Sequence, residues 1–510
     1  MVAAGIFLSR ISGLIRQRVF AHYFATSDAA DAFSSGFRIP NLLQNLFGEG
    51  ALSASFIPVY AGLRARGEDA EAERLAGAVA ALLGMVVSAA VAIGVLASPW
   101  LVDIIAPGFS GEKREITVRL VRILFPGAGL LVLSAWCLGI LNSHRRFFLS
   151  YAAPIIWNAA MVASLVWFGP RATEWKLAEY VAYASVVGSL LQILVQWPVV
   201  RGLLPRLRLS LDTSGAHVRS VIHNFFPAFV SRGVVQISAY VDAVLASLLP
   251  TGAVAALSYA QTLYTLPVSL FGMSISAAEL PAMSSAVGDD ATVAAYLSDR
   301  LNRGLRQIAF FVVPSAMAFA ALGQVLAGAL FQTGRFSVAD SQWVWAILAG
   351  SAIGLLASTM GRLYASTYYA LRDTRTPLRY AVLRVGLTIA LGYLFAIPLP
   401  GIIGIPARWG AAGLTVSAGI AGWVEFVLLR KSLNARLGPT GVPASLLVRL
   451  WSAALLAAGT AWLVDRMLPE LHPVLRAAVV LGIYGAMYFS LTWALRIPEA
   501  RRLLRTSRPD

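Results

Sequence analysis

Cysteine and histidine are scarce, one and five in 510 residues, and the single cysteine, Cys137, lies inside an apolar run at 130–141. No disulfide framework and no Cys/His metal cluster can be built from that set. Charge is equally scarce: Asp, Glu, Lys and Arg make up 13% of the chain, against roughly 25% in soluble domains. With 58% apolar residues, an ordinary soluble protein is excluded. There is no Walker A loop, HExxH pair, CxxC pair or GxSxG elbow, which argues against ATP-driven transport and the common hydrolases. His22, His144, His217, His223 and His472 are dispersed, each at a span end or loop where a solvated role suits it better than ligation. No basic stripe with interleaved aromatics appears, so the net charge of +16 does not point to nucleic acid.

What the chain has is long apolar runs. A bilayer-crossing helix needs about 20 mostly apolar residues. Breaks at charge, glycine and proline predict spans near 1–24, 28–60, 75–105, 118–142, 150–169 and 178–200, then 218–249, 253–284, 303–331, 340–371, 378–399, 408–431, 447–468 and 473–496. The fold class is an all-α polytopic membrane protein of about fourteen transmembrane helices. The second and eighth runs are long enough to be broken or strongly tilted, with Pro40, Pro58, Pro267 and Pro281 placing the breaks. No cleavable signal is evident, and the abrupt apolar start fits a short missing N-terminal segment.

Basic residues accumulate in short cytoplasmic loops. Here they follow the even-numbered spans: Arg64, Arg66 and Arg74; Arg145 and Arg146; Arg201, Arg206 and Arg208; Arg300, Arg303 and Arg306; Arg372, Arg375 and Arg379; Arg430, Lys431 and Arg436. The tail adds Arg501, Arg502, Arg505 and Arg508, whereas the other loops hold little beyond Lys113, Arg114, Arg171, Lys176, Arg335, Arg408 and Arg466. Both termini are therefore expected in the cytoplasm, and the positive charge is mostly topogenic. The domains expected are a six-helix bundle at 1–200, an interfacial connector at 201–217, a second bundle at 218–431, and two extra helices with a basic tail at 432–510.

Polar groups on otherwise apolar spans are the functional candidates, because an ionisable side chain at membrane depth costs roughly 2.5–3.5 kcal/mol and usually faces a bundle interior or a wet cavity. The first two spans carry Ser9, Arg10, Arg16, Asp31, Asn41, Gln44, Asn45 and Glu49; the seventh carries Arg232, Gln236 and Asp242. Clustered arginines point to an anionic ligand. Arg10 and Arg16 are six positions apart, so they lie about 120° apart around a helix and share a ligand only in a wide cavity or across a break. Asp31 and Asp242 could pair with arginines or bind a coupling cation.

The runs Leu8 to Gln17, Asp31 to Phe33, Phe37 to Leu43 and Phe47 to Pro58 resemble the start of the MurJ/MviN family of lipid II flippases, in the multidrug/oligosaccharidyl-lipid/polysaccharide exporter superfamily. The resemblance continues through Gly139 to Ser143, Ala153-Pro154 with Asn158, Gln236 to Asp242, Leu263 to Gly272, Phe331 to Phe336 and Tyr369 to Pro377. It implies two six-helix bundles around a central cavity, with two C-terminal helices forming a lipid-tail groove. It also implies a substrate, undecaprenyl-diphosphate-linked disaccharide-pentapeptide, moved between leaflets of the bacterial inner membrane by alternating access for cell wall synthesis. No enzymatic activity and no cofactor is implied; the further partners are membrane lipids and the cell wall synthesis machinery.

Position by position, Arg10 and Arg16 match the family's arginines of the first span, Asp31 and Glu49 its acidic residues of the second, and Asp242 that of the seventh. Ser9 and Asn41 complete the expected substrate site. The chain departs from the pattern at Gln17, Gln44, Asn45, Thr262 and Thr265, where the family commonly carries charge, and Arg232 is the local substitute for the lost arginines. Two other readings stay open: an exporter of another polyprenyl-linked saccharide or amphiphile, and a non-transporting scaffold in which Arg10→Ala and Arg16→Ala would be silent.

Overall fold

The computed structural model describes residues 2–285 and 288–505, with backbone only at 2–4, 6, 49–51, 54, 227–228, 230–239, 290 and 502–505. Among the described residues every regular element is helical. The chain forms two compact units, one of residues up to Ala255 together with Thr333–Phe336, the other of Ala256–Gln332 and the residues from Ser337 onward. The helices are α1 (Val2–Phe24), α2 (Asp28–Phe47), α3 (Glu49–Ala65), α4 (Asp69–Leu96), α5 (Ser98–Ile105), α6 (Gly111–Ser143), α7 (Phe147–Phe168), α8 (Glu174–Leu203), α9 (Ala216–Ser247) and α10 (Ala253–Pro267). Then follow α11 (Ser274–Ser284), α12 (Asp290–Phe331), α13 (Val338–Ala370), α14 (Arg375–Ala396), α15 (Pro398–Ile403), α16 (Gly410–Leu437), α17 (Ala444–Met467), α18 (Pro473–Ala494) and α19 (Pro498–Arg505).

Among the described residues eleven helical segments are long and apolar enough to cross a membrane. The expected spans outside those eleven are α1, the α2–α3 pair and α9: α1 carries three arginines, the second run is interrupted at Gly48, and many side chains of α9 lie outside the described residues. These are the segments that carry the candidate site residues.

The long second run does break, but at Gly48 rather than at a proline. Pro40 and Pro58 lie inside α2 and α3, whereas the Gly48 backbone turns to φ −79°, ψ −141° and sits so close to the preceding turn that a Cβ would lie 2.3 Å from the Gln44 carbonyl oxygen. Only glycine fits there. Of the other two prolines, Pro281 is inside α11, while Pro267 ends α10 where a six-residue π-turn, Val268–Met273, begins. Prolines persist within these helices because neighbours can satisfy the carbonyl they free. Pro314 in α12 makes this concrete: it lacks the N–H that would bind the Phe310 carbonyl, and the Tyr488 hydroxyl of α18 donates to that oxygen at 2.7 Å. Tyr484, one turn away, donates to the Pro314 carbonyl, also at 2.7 Å.

In the first unit α9 packs on α2 and α3. Phe47 meets Phe225 and Phe229 of α9, and the Tyr240 hydroxyl donates to the Arg38 carbonyl at 2.7 Å. The connector after α8 is extended and lies on α4: the Arg206 amide donates to Glu73 at 2.6 Å, and Gly77 faces the Arg208 carbonyl. Asp31, in the first turn of α2, is buried. Its carboxylate accepts from the amides of Gly252 at 2.7 Å and Ala255 at 2.8 Å, capping the start of α10, and pairs with Lys113 Nζ at 2.7 Å. Lys113 also reaches Asp28 at 2.8 Å, and the Thr251 hydroxyl donates to Asp28 at 2.9 Å. The segment Thr333–Phe336 belongs to this unit as well. The Arg335 amide donates to the His22 carbonyl at 2.9 Å, His22 Nδ1 and Thr333 Oγ1 are 2.9 Å apart, and Arg335 pairs with Glu174. Gly334 is at φ +55° against the His22 carbonyl, a conformation and a gap that both call for glycine. His22 and His144 are thus hydrogen-bonded rather than merely solvated, His144 Nε2 lying 2.8 Å from the Tyr60 hydroxyl.

Three outcomes follow from these contacts. Asp31→Ala, which leaves the Gly252 and Ala255 amides without a partner while Lys113 keeps Asp28, is expected to cost about 1–3 kcal/mol and to appear as a lowered melting temperature of the purified protein in detergent. Tyr488→Phe leaves the Phe310 carbonyl unpaired and should cost about 1–3 kcal/mol in the same assay. His144 lies just past the end of α6, and burial, together with Arg64, holds its imidazole below the ordinary value. The unfolded chain therefore takes up the proton first, so the stability tied to the neutral ring is complete above about pH 6.5 and is lost as pH falls below it. Melting at pH 7.5 and 5.5 should show this slope in the wild type, and a reduced slope in His144→Gln.

Candidate functional site

Helix α1 places Ser9, Ser12 and Arg16 along neighbouring turns, and α7 brings Trp157, Asn158 and Met161 against them. The Arg16 guanidinium carbon is 4.9 Å from the Trp157 ring centre and 5.8 Å from that of Phe37 on α2; Arg16 Nη1 is 3.9 Å from the Met161 sulfur. Trp157 is held by its indole N–H, which donates to the Ser185 carbonyl and hydroxyl of α8 at 3.1 Å. Phe37 stacks on Trp157, and Phe33, Phe20 and Phe24 continue the aromatic column. Asn158 Nδ2 donates to the Ser12 hydroxyl at 2.9 Å, which donates in turn to the Ser9 carbonyl at 2.8 Å.

Arg16 is half-buried, and among the described residues no carboxylate lies within ion-pair distance of it. Aromatic faces orient a guanidinium without using its N–H groups. The planar fork is therefore free to grip an anion by charge-assisted, bidentate hydrogen bonds. The arrangement in the first unit suits an anion, and among the described residues it holds no acid–base pair.

The remaining expected residues are placed differently. Arg10 is exposed, six residues and about 9 Å along the helix from Arg16. Asp31 has both oxygens committed to Lys113 and to the start of α10, outside the Arg16 cluster. Asp242 of α9 lies near enough to act on the charge of Arg38. Asn41 is half-buried on α2, one turn from Arg38. The side chains of Glu49, Arg232 and Gln236 lie outside the described residues. The Thr262 and Thr265 hydroxyls donate to carbonyls of their own helix, at 3.0 and 2.7 Å. Sequence reasoning missed Trp157, Phe37 and Met161 as members of the site. The available signal was Trp157 beside Asn158 in an otherwise apolar span.

The family model described as lipid II flippase MurJ matches residues 20–480. The chain is 31% identical over 506 residues to the lipid II flippase MurJ of Burkholderia cenocepacia, covering 96% of this chain and 95% of that protein. It is 30% identical over 442 residues to a probable lipid II flippase MurJ of Haemophilus influenzae, covering 84% of each. A solved lipid II flippase MurJ in an inward closed conformation superposes with a TM-score of 0.77 at 22% identity, over 97% of this chain and 99% of that one. An inward-facing multidrug resistance MATE family transporter of the MOP superfamily gives 0.66 at 16% identity, over 84% and 95%. At such identities the structures speak for the fold. The family model and the sequence relatives, each spanning most of the chain, establish that this protein belongs to the MurJ family of lipid II flippases.

Proposed function

We propose that this chain carries lipid II from the inner to the outer leaflet of the bacterial cytoplasmic membrane by alternating access, with both termini in the cytoplasm, and that Arg16 grips the substrate diphosphate. The observation that carries the site is the pairing state of Arg16. A guanidinium at membrane depth is costly unless answered, and among the described residues Arg16 is answered only by two aromatic faces and a thioether. A diphosphate would supply the missing counter-charge, with Asn158 and Ser12 lining the approach. The aromatic flank keeps the fork flat and oriented, so little side-chain freedom is lost on binding.

Asp31 acts in this reading as a positioning residue that fixes the start of α2 rather than as a ligand to the substrate. Asp242 holds α9 electrostatically to Arg38 of α2. Arg10, exposed on the same helix as Arg16, meets the substrate during entry rather than in the Arg16 cluster.

The test is complementation of a flippase-depleted bacterium, with lipid II exposure read by an externally added cleaving toxin. Wild type should rescue growth and expose lipid II, whereas Arg16→Ala should abolish both at normal expression. Arg16→Lys keeps the charge but loses the fork, and should weaken substrate binding by about 1.5–3 kcal/mol, roughly ten- to a hundredfold. Rescue by Arg16→Ala equal to wild type would overturn the assignment of Arg16.

A further inference from the structure

The second unit holds a cavity of about 230 Å³ where the end of α12, the start of α13, the end of α17 and the start of α18 converge. Its walls include Trp345, Trp462, Gln324 and Gln332, and its charged lining is the pair Asp465 and Arg476. That volume is below the roughly 300–1,000 Å³ that encloses a whole drug-sized ligand. It is the size of a head group.

The chemistry of the lining is two-signed. Arg476 Nε and Nη2 donate to the two Asp465 oxygens at 2.6 and 2.9 Å. Arg476 Nη1 stays unused among the described residues, and each carboxylate oxygen can accept a further hydrogen bond. A ligand of one charge finds an already neutral pair, whereas a ligand with a phosphate and an ammonium finds a partner for each without breaking it. Trp345, oriented by donation to the Ala320 carbonyl at 2.9 Å, adds a π face for the ammonium, while the Trp462 ring already carries the Arg466 guanidinium at 4.0 Å from its centre. On the same two helices Leu463, Met467 and Leu475 are exposed, an apolar surface suited to acyl chains.

We propose that this cavity is a head-group site for a zwitterionic phospholipid with a primary ammonium, its phosphate on Arg476 and its ammonium on Asp465 and the Trp345 face. In the orientation proposed above the site opens at the outer leaflet; the lipid selectivity itself does not depend on that orientation or on lipid II transport.

The test reconstitutes the full-length protein in vesicles of equal parts phosphatidylethanolamine, phosphatidylcholine and phosphatidylglycerol with identical acyl chains, extracts it, and counts retained lipids by native mass spectrometry. Wild type should retain phosphatidylethanolamine at least fivefold over phosphatidylcholine, whose quaternary ammonium cannot donate to Asp465. Asp465→Asn should erase that ratio, and Arg476→Gln should lower retention of every phospholipid. Gly328→Leu fills the cavity from α12, where a new Cβ would meet only the movable Gln332 amide at 3.0 Å; it should bring phosphatidylethanolamine down to the phosphatidylcholine level. If that variant fails to fold, the ratio in wild type against Asp465→Asn decides alone. Equal retention of the two lipids by wild type, preference for phosphatidylglycerol, or an unchanged ratio in Asp465→Asn would overturn the proposal.

Discussion

A charge placed at membrane depth must be answered by something other than water, and much of this structure follows from how each charge is answered. Asp31 is answered by a lysine and two helix-terminal amides, and Arg384 of α14 pairs with Glu425 of α16 at 3.3 Å. Such pairs leave little capacity for a ligand. Arg16 stands apart because aromatic faces hold it and leave its N–H groups available. Whether a charged residue stabilises the helices or binds a substrate is decided by that difference in partner, not by the charge itself.

The same accounting governs the backbone. Helices satisfy their own amides, but every proline within one frees a carbonyl, and in hydrocarbon the neighbours must supply a donor. Tyr488 does so for Pro314, which ties α18 to α12 by a specific hydrogen bond as well as by apolar contact. The last two helices are therefore more than lipid-facing additions. They also frame the small two-signed cavity at the ends of α17 and α18.

Polar content divides the helices by role. Those long and apolar enough to be recognised as spans on composition supply the scaffold. Polar residues concentrate in α1, the α2–α3 pair and α9, the segments that carry the candidate site residues. The Thr262 and Thr265 hydroxyls bond to carbonyls of their own helix, where a charged group would need an external partner.

Composition and apolar run length determined the all-helical membrane class, because that property depends on segment averages that a bilayer reads directly, while the family was legible in the residue motifs between Leu8 and Pro58. Arg16 was legible in the sequence as a candidate, a charge in an apolar run. The break at Gly48 was not, since Pro40 and Pro58 were the louder signals and only backbone geometry shows which residue leaves the helix. Nor could the sequence show that Asp31 reaches residues more than 200 positions away, or that Trp157 and Phe37 close on Arg16 from two other helices. Those assignments belong to tertiary structure, because a side chain's role is set by the partner that packing brings within a few ångströms, and sequence spacing carries no record of contacts between distant helices.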